Sequence, residues 1–239
     1  MSQINLKLII NDISVGSPIQ PSHGFALLIN DELLFDTGSD PETLLSNMRN
    51  MQIDIQKINT IFLSHPHFDH TGGIEGVLAL RSGIKVYACP GFDEGLKDSV
   101  RKFNGIFVEN KDFTKIGEGV YTTGEIEGEY KGKYMPEQSL LLSCGNGIVI
   151  VTGCAHPGIV NIIERAKDAL PGSIRLVIGG FHLGSMKEIQ VRSIVDKTRV
   201  LGCEKVAPVH CTGEKAQKIF QEVYGDNFIN VKAGQTIEL

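Results

Sequence analysis

The stretch that decides the fold is HPHFDHTGG, residues 65–73, which directly follows an apolar run at Ile58 to Leu63. Its first six positions carry three histidines and one aspartate, at His65, His67, Asp69 and His70. Imidazole nitrogens and carboxylate oxygens are ligands that zinc and similar divalent ions take in proteins. In an extended loop the first two histidines can face one ion while Asp69 and His70 turn to a second. The stretch therefore predicts a centre for two metal ions.

Three further histidines stand where predicted strands end. His156, His182 and His210 each follow a short apolar run that is typical of a buried strand. Because side chains at strand ends converge on one rim of a sheet, residues far apart in the chain can share a pocket. The pattern favours an α/β fold in which these histidines gather around metal.

The ordered motif resembles the metallo-β-lactamase superfamily. His-x-His-x-Asp-His followed by Gly-Gly is similar to the signature of that superfamily. The residues of its other motifs are matched, in sequence order, by Asp36 before this signature and by His156 and His210 after it. The resemblance covers nearly the whole chain and implies a four-layer αββα sandwich, with the metals at one edge of two facing sheets. It also implies two divalent ions, zinc by preference, with manganese or iron as alternatives.

The resemblance further implies how the ligands are shared. His156 would complete the first site with the first two histidines of the opening stretch, and His210 would join Asp69 and His70 at the second. Asp36 is expected to orient a ligand histidine rather than to bind metal. The superfamily supplies a bridging aspartate where this chain has Gly179-Gly180, and the nearest ligand type is His182. Because a neutral imidazole does not bridge two cations, we expect His182 to replace that ligand on one metal or to lie behind a ligand.

The segments around the three later histidines resemble a narrower subgroup of metal-dependent hydrolases. These segments are Gly153 to Asn161, Gly179 to Leu183 and His210 to Gly213. Some archaeal members of the subgroup are named dihydropterin-ribofuranosylaminobenzene phosphate synthases. The resemblance therefore implies a metal-dependent hydrolase that acts on a small molecule, and it leaves a dihydropteroate-synthase-like transferase as the alternative.

The expected chemistry follows from the metals and Asp69. A metal-bound water whose pKa falls from about 15.7 to about 7 becomes a nucleophile at neutral pH, and Asp69 is the natural base to orient it. Two divalent ions without a bridging aspartate leave the pocket more positive, so an anionic or phosphate-bearing substrate would suit it. His23, in a loop before an early strand, is either a substrate contact or part of the loop packing.

Two other functions stay open at this point. The transferase would condense a pterin diphosphate with an arylamine and use the same positive pocket to stabilise the departing pyrophosphate. A redox or metal-sensing module is the third class. Flavin-linked di-iron relatives carry a ligand set rich in carboxylates and an extra flavodoxin-like domain, whereas Asp69 is the single carboxylate among the ligands expected here and no such domain is predicted.

The composition disfavours several classes of protein. Lys and Arg are scattered along a chain of formal net charge -5 and pI near 5.8, which argues against a nucleic-acid partner. The five cysteines form no Cys-x-x-Cys pair, so a reduced, cytoplasmic setting is expected rather than a disulfide framework. Cys154 and Cys211 flank expected ligands, yet free cysteine is usually a small buried apolar residue. No segment is typical of a signal peptide or a membrane span.

The chain of 239 residues is expected to form one domain, 1–239, and its oligomeric state is left open, with a homodimer among the options. Helices and strands are predicted along most of it, including a helix capped by Asp40 and a closing strand at Phe228 to Lys232. Between about residues 104 and 138, repeated glycines predict an irregular surface loop or lid. Within it, Gly124 to Pro136 is either a cover over substrate or a solvated hairpin.

Overall fold

The computed structural model describes residues 3–145 and 147–239, which form a mixed α/β structure. Its strands are β1 Asn5–Ile10, β2 Ala26–Ile29, β3 Leu33–Phe35, β4 Thr60–Phe62, β5 Lys85–Ala88, β6 Ile106–Glu109, β7 Thr114–Gly117, β8 Val120–Thr122, β9 Glu129–Tyr130, β10 Lys133–Tyr134, β11 Leu140–Cys144, β12 Gly147–Thr152, β13 Ser173–Gly180, β14 Cys203–Val209 and β15 Thr236–Glu238. Its α-helices are α1 Pro41–Asn50, α2 Phe68–Thr71, α3 Ile74–Leu80, α4 Glu94–Lys102, α5 Ile159–Ala169, α6 Glu188–Val200 and α7 Glu214–Tyr224. The described residues fall into two compact units, one of 3–111 with 232–239 and the other of 112–231.

The first unit, residues 3–111 with 232–239, is built on one mixed sheet. Its strand order is β15-β1-β2-β3-β4-β5-β6. The strands β15, β1, β2 and β3 pair antiparallel in that order, whereas β3 through β6 run parallel. Parallel neighbours end at the same edge, and the pairing of Phe35 with Phe62 places the ends of β3 and β4 side by side. This edge is where the metal-ligand candidates of the unit begin.

Helices α1 and α3 cover one face of this sheet. The apolar side chains along one side of each helix pack against the alternate strand residues that point to that face. Leu44 and Met48 of α1 and Val77 of α3 are fully buried in the same cluster as the strand residues Ile9, Leu28, Leu34, Ile61 and Val86. Side chains on the other face are buried too, as the run Ala26–Ile29 shows. Continuous apolar strands of this kind are typical of sheets covered on both faces.

The second unit, residues 112–231, contains the other sheet, with strand order β14-β13-β12-β11-β8-β7. Its strands β12, β13 and β14 run parallel, with Thr152 opposite Gly179 and Gly180 opposite Val209. The buried stripes of α5, α6 and α7 pack against this sheet through residues that include Ile162, Val195 and Phe220. Three consecutive parallel strands therefore deliver the loops that follow them to one edge.

Most predicted elements are confirmed with their ends shifted by a few residues, but the predicted closing strand at Phe228 to Lys232 is wrong. Phe228 makes only an isolated bridge with Val206. The chain then turns sharply, since the N–H of Val231 bonds to the carbonyl of Ile229. The last strand is instead β15, which pairs antiparallel with β1. Within the predicted strand, Phe228 packs against the core of the second unit instead of extending a sheet.

The stretch 104–138 is more regular than expected. It contains β6 to β10, and β9 with β10 forms a hairpin whose turn is made by Lys131 and Gly132. Gly132 has φ +74°, a conformation that glycine adopts without steric cost. The glycines therefore end short strands and permit tight turns, which weakens the periodic signal in the sequence without removing the strands.

Within the described parts of the chain, none of the helices combines the length and apolar composition needed to cross a bilayer.

The N-cap of α1 gives a test of local stability. Asp40 accepts hydrogen bonds from the backbone N–H and the hydroxyl of Thr43, and these bonds lower the pKa of Asp40 below 3.8. We expect Asp40→Ala to reduce the free energy of unfolding at pH 7 by about 1 kcal/mol. Because the folded-state pKa lies below the unfolded value, the difference should shrink as the pH falls below 3.8.

Urea denaturation at neutral and acidic pH measures this difference. Asp196→Ala is the control, because Asp196 is an exposed residue in the interior of α6. Equal destabilisation by the two variants would contradict the capping role of Asp40.

Candidate metal centre

In the first unit, the ends of β3 and β4 bring the expected ligands together. Asp36 follows β3 directly, and Ser64 and His65 follow β4 on the neighbouring strand. The short helix α2 then carries Asp69 and His70 back over this edge. His65 and His70 are completely buried and His67 is partly exposed, whereas Phe68 in the same stretch is 67% exposed. The histidine rings, rather than the whole stretch, are therefore turned into the unit.

The ligand atoms of this stretch fall into two close pairs. His65 Nε2 lies 3.0 Å from His67 Nδ1. His70 Nε2 lies 3.6 Å from Asp69 Oδ2. The His65 and His70 rings are also close, with centroids 4.2 Å apart. The first two histidines thus lie together, Asp69 lies beside His70, and the His65–His70 ring contact joins the two pairs.

Asp36 holds these histidines from behind. Its carboxylate is fully buried, accepts a 2.8 Å bond from the backbone N–H and another from the hydroxyl of Ser64, and lies 2.7 Å from His70 Nδ1. Ser64 Oγ lies 2.9 Å from His65 Nδ1. Burial raises the pKa of Asp36, although the charge and hydrogen bond of His70 and the bonds from Ser64 oppose this. Contacts at Nδ1 orient each ring and leave its Nε2 for another partner.

His23 lies beside Asp69. Its Nε2 is 3.4 Å from Asp69 Oδ2, and its Nδ1 is 3.0 Å from Asp12 Oδ1. The imidazole side chain is 64% exposed, whereas that of Asp69 is 12% exposed. His23 therefore offers a solvent-facing polar group next to the aspartate.

In the second unit, each of the three parallel strands ends just before one of the expected histidines. His156 follows β12, His182 follows β13 and His210 follows β14, at the edge set by the register of these strands. The rings of His156 and His182 have centroids 4.7 Å apart. Among the residues that the structure describes, no hydrogen-bond partner lies beside the buried Nδ1 of His182.

Two cysteines join this cluster of histidines. The ligand atoms of Cys154, His156 and His182 lie within 4.8 Å of one another, and the same holds for Cys154, His210 and Cys211. A hydrogen bond with the Cys211 side chain raises the pKa of His182 against the effect of burial. Burial alone would raise the pKa of Cys211, but hydrogen bonds with Cys154 and His182 hold it well below 9.0.

The sequence analysis missed Glu137, which organises the loop before His156. Its carboxylate is completely buried. It accepts hydrogen bonds of 2.9 to 3.1 Å from the Thr152 hydroxyl and from the backbone N–H groups of Gly153, Cys154, Ala155 and His156. Because the partners are backbone groups, the side-chain pattern of the loop carries no signal that could have identified this residue.

The β9–β10 hairpin covers two of the histidines. The Tyr130 ring lies 5.2 Å from the His156 ring and 5.7 Å from the His182 ring, both edge-on. The Lys131 ammonium stands 4.9 Å from the centre of the Tyr130 ring. Tyr130 thus contacts the histidines, whereas residues 131–134 of the hairpin are exposed to solvent.

A cavity of about 340 Å³ opens beside the same histidines within the second unit. Most of its lining is apolar, and its polar lining residues include Glu129, Asn161 and Lys197 in addition to His156 and His182. Its size is that of a small-molecule pocket, for which about 300 to 1,000 Å³ is usual. A ligand there would contact the imidazoles at one end and apolar side chains along its body.

Left-handed backbone occurs at these strand ends, as it also does at turns elsewhere in the described residues, such as Asn30 and Asn104. Non-glycine residues with positive φ include Asp36, Ala155, His182 and His210, at +49° to +58°. Such residues cost about 1 to 3 kcal/mol each and cluster at functional sites when the surrounding structure enforces them. At these four positions the strain coincides with the candidate ligands and the residues that hold them.

Comparisons with known proteins agree with this geometry. A family model described as the metallo-beta-lactamase superfamily matches residues 20–185. A protein of Methanocaldococcus jannaschii, named 7,8-dihydropterin-6-methyl-4-(beta-D-ribofuranosyl)-aminobenzene-5'-phosphate synthase, is 31% identical over 93% of this chain and 92% of its own length.

Solved structures show the same fold. A metal-dependent hydrolase of the beta-lactamase superfamily superposes with a TM-score of 0.82 at 29% identity, covering 99% of each chain. The short form of human tRNase Z superposes with a TM-score of 0.66 at 12% identity, covering 98% of each chain. At that identity the second likeness concerns the fold alone.

The buried Glu137 carboxylate generates a stability prediction. Glu137→Gln keeps the size of the side chain but turns one accepting oxygen into an amide donor that faces backbone N–H groups. We expect a loss of about 1 to 3 kcal/mol in the free energy of unfolding, because a buried donor is left without an acceptor. Urea denaturation measures it, with Glu127→Gln, an exposed residue of the same stretch, as the control. Wild-type stability in Glu137→Gln would show that the carboxylate does not hold the loop.

Proposed function

The chain belongs to the metallo-beta-lactamase superfamily, and from this we propose that it is a metal-dependent hydrolase of a small-molecule substrate. The observation that carries the proposal is the spacing of the two ligand pairs in the first unit. Two nitrogens bound to one tetrahedral zinc at about 2.0 to 2.1 Å stand roughly 3.3 Å apart. The separations of 3.0 Å and 3.6 Å in these pairs fit such a donor set without rearrangement of the loop.

The tautomers in the first unit fit metal binding as well. Ser64 and Asp36 contact Nδ1 of His65 and His70. These contacts direct Nε2 of each ring toward its neighbouring donor, His67 or Asp69, which is where an ion shared by each pair would bind. In the second unit, the buried Nδ1 of His182 has no hydrogen-bond partner among the described residues, as a metal-binding nitrogen would have none. The proposed ligands of two divalent ions, zinc before manganese or iron, are His65, His67, Asp69, His70, His156, His182 and His210.

The proposed reaction uses Asp69 and His23 as the working groups of the chain. A divalent ion, when bound, supplies a water acidic enough to act as a nucleophile near neutral pH. Asp69 is the proposed base, because its carboxylate stands between His23 and His70 and can accept a proton at Oδ2. His23 is the proposed substrate contact, since Asp12 orients its ring and most of the imidazole faces solvent.

The cavity of the second unit supports a substrate with an apolar body and an anionic group. Its walls include Ile159, Phe181 and Leu183, and Lys197 supplies a positive charge at its rim. Burial of apolar surface would provide affinity, and the ammonium would pair with a carboxylate or phosphate. A phosphate-bearing small molecule is therefore the proposed substrate class.

A second candidate is a transferase that condenses a pterin diphosphate with an arylamine. The name of the Methanocaldococcus jannaschii relative, a synthase, favours it. The two candidates differ in their products: the transferase releases pyrophosphate only when the amine acceptor is present, whereas the hydrolase needs water alone. Measuring pyrophosphate release with and without an arylamine separates them.

The metal dependence and the role of Asp69 can be tested together. Protein stripped with a chelator and reloaded with zinc, manganese or iron is assayed on esters, phosphoesters, lactones and thioesters. We expect activity that the chelator removes, and a fall in kcat of about 10²- to 10⁴-fold in Asp69→Asn, the usual contribution of a general base. Asp98→Asn is the control, because Asp98 is an exposed residue of α4 paired with Arg101. The proposal fails if no substrate class is hydrolysed with any of the three metals.

A further inference from the structure

The second unit contains a donor cluster with two thiols. The Sγ atoms of Cys154 and Cys211 and a ring nitrogen of His210 all lie within 4.8 Å of one another. Cys154 belongs to the loop after β12, and His210 and Cys211 belong to the 3₁₀ helix after β14. The ends of β12 and β14, which lie on either side of β13 in the sheet, therefore bring sulfur and nitrogen donors to the same small volume.

The strand between them is built to leave room for one of these thiols. A Cβ atom at Gly180, the last residue of β13, would lie 2.6 Å from Cys211 Sγ and 2.5 Å from the carbonyl oxygen of Gly153. Both distances are below any ordinary carbon contact, so only glycine permits the approach. The Cys211 thiol consequently stands directly against the end of β13, in the position that a side chain at residue 180 would fill.

The surroundings of these thiols are polar, unlike those of another cysteine of the same unit. Cys211 Sγ lies 3.7 Å from the carbonyl oxygen of Cys154, and its side chain forms a hydrogen bond with His182. Cys203 instead lies within the apolar cluster, where burial raises the pKa of its thiol to about 12. The expectation that a free cysteine is a small buried apolar residue describes Cys203 and does not describe Cys211.

We propose that Cys154 and Cys211 bind a metal ion as thiolates together with His210, with His182 as the nearest further donor. Zinc bound by sulfur at about 2.3 Å and by nitrogen at about 2.0 to 2.1 Å separates neighbouring donors by roughly 3.3 to 3.8 Å. Small side-chain rotations bring donors within 4.8 Å to that spacing. Each thiol loses its proton to solvent when the metal–sulfur bond forms.

This inference rests on the proposed function, because His210 and His182 are also ligands in the metal centre proposed there. The inference adds a preference for certain metals. Soft thiolate ligands favour zinc, cobalt or ferrous iron over manganese and magnesium. The ion at this position is therefore thiophilic. Its ligands include sulfur as well as nitrogen, instead of nitrogen and oxygen alone.

Cobalt(II) substitution of the full chain tests the proposal directly. Reduced, metal-free wild-type protein is titrated with cobalt(II) and its absorption spectrum recorded, because thiolate bound to cobalt gives a charge-transfer band that imidazole and carboxylate do not give. We expect the band in the wild type, a weaker band in Cys154→Ala and in Cys211→Ala, and its complete loss in the double variant. Cys203→Ala is the control and should keep the full band.

A second measurement on the wild type covers the case in which a variant does not fold. Alkylation of the reduced protein is followed by mass spectrometry with and without zinc. We expect zinc to protect Cys211, while Cys144, the other partly exposed cysteine, stays reactive. Equal labelling of Cys211 with and without zinc would overturn the proposal.

The outcomes also distinguish this proposal from the proposed function. Cobalt bound to the wild type with ligand-field bands alone, and no charge-transfer band, would exclude thiolate ligation while leaving the hydrolase in place. Failure of the wild type to bind cobalt or zinc at all would remove both proposals. A charge-transfer band that survives in the double cysteine variant would place the thiolate elsewhere and overturn the assignment.

Discussion

The histidine-bearing loops depend on two buried carboxylates, Asp36 in the first unit and Glu137 in the second. An isolated buried carboxylate is costly, so each is stable only because hydrogen-bond donors surround it. For Asp36 the donors are Ser64 and His70, and for Glu137 they are the backbone N–H groups of the loop that ends at His156. Each carboxylate is stable in its buried position because the loop donates these hydrogen bonds, and the loop keeps its conformation because the carboxylate accepts them.

This mutual dependence explains how strained residues persist at the strand ends. Ala155 has a left-handed backbone and donates its N–H to Glu137, so the hydrogen bond offsets the conformational cost. His182 and His210 have similar backbones at the ends of the next two strands. Because the loops are held before any ligand arrives, little ordering remains to oppose binding, and the donor atoms are already gathered. Because the parallel strands end at one edge of the sheet, the sheet holds the donor atoms of the loops in place before a ligand binds.

The parts of the structure that depend on side-chain pattern were predictable from the sequence. The parallel strands carry unbroken apolar runs, so the positions of His65, His156 and His210 at their ends follow from periodicity and sheet geometry. The contact of Asp36 with His70 also agrees with the expectation that it orients a ligand. The parts that depend on backbone hydrogen bonds left no such pattern. Glu137 looks like any other charged residue of the glycine-rich stretch, and the hairpin that carries Tyr130 is too short for a periodic signal.

The same reasoning explains the misplaced closing strand. The apolar residues after Phe228 are as compatible with packing against a sheet as with joining one, and composition alone does not distinguish these uses. Which segment forms the closing strand is decided by a long-range contact, because β15 pairs with β1 at the other end of the sequence.

That pairing makes the first unit discontinuous in sequence. The N–H of Ile4 bonds to the carbonyl of Leu239, and the N–H of Leu239 bonds back to Ile4, at 3.0 and 2.9 Å. The ribosome delivers β15 after all of residues 112–231, so the outer edge of β1 stays uncovered while the second unit is being synthesised. An uncovered edge is open to wrong partners. A nascent chain that has not yet emitted residues 236–238 would therefore present the histidine-bearing unit with an unpaired strand edge, and this edge closes only when β15 pairs with β1.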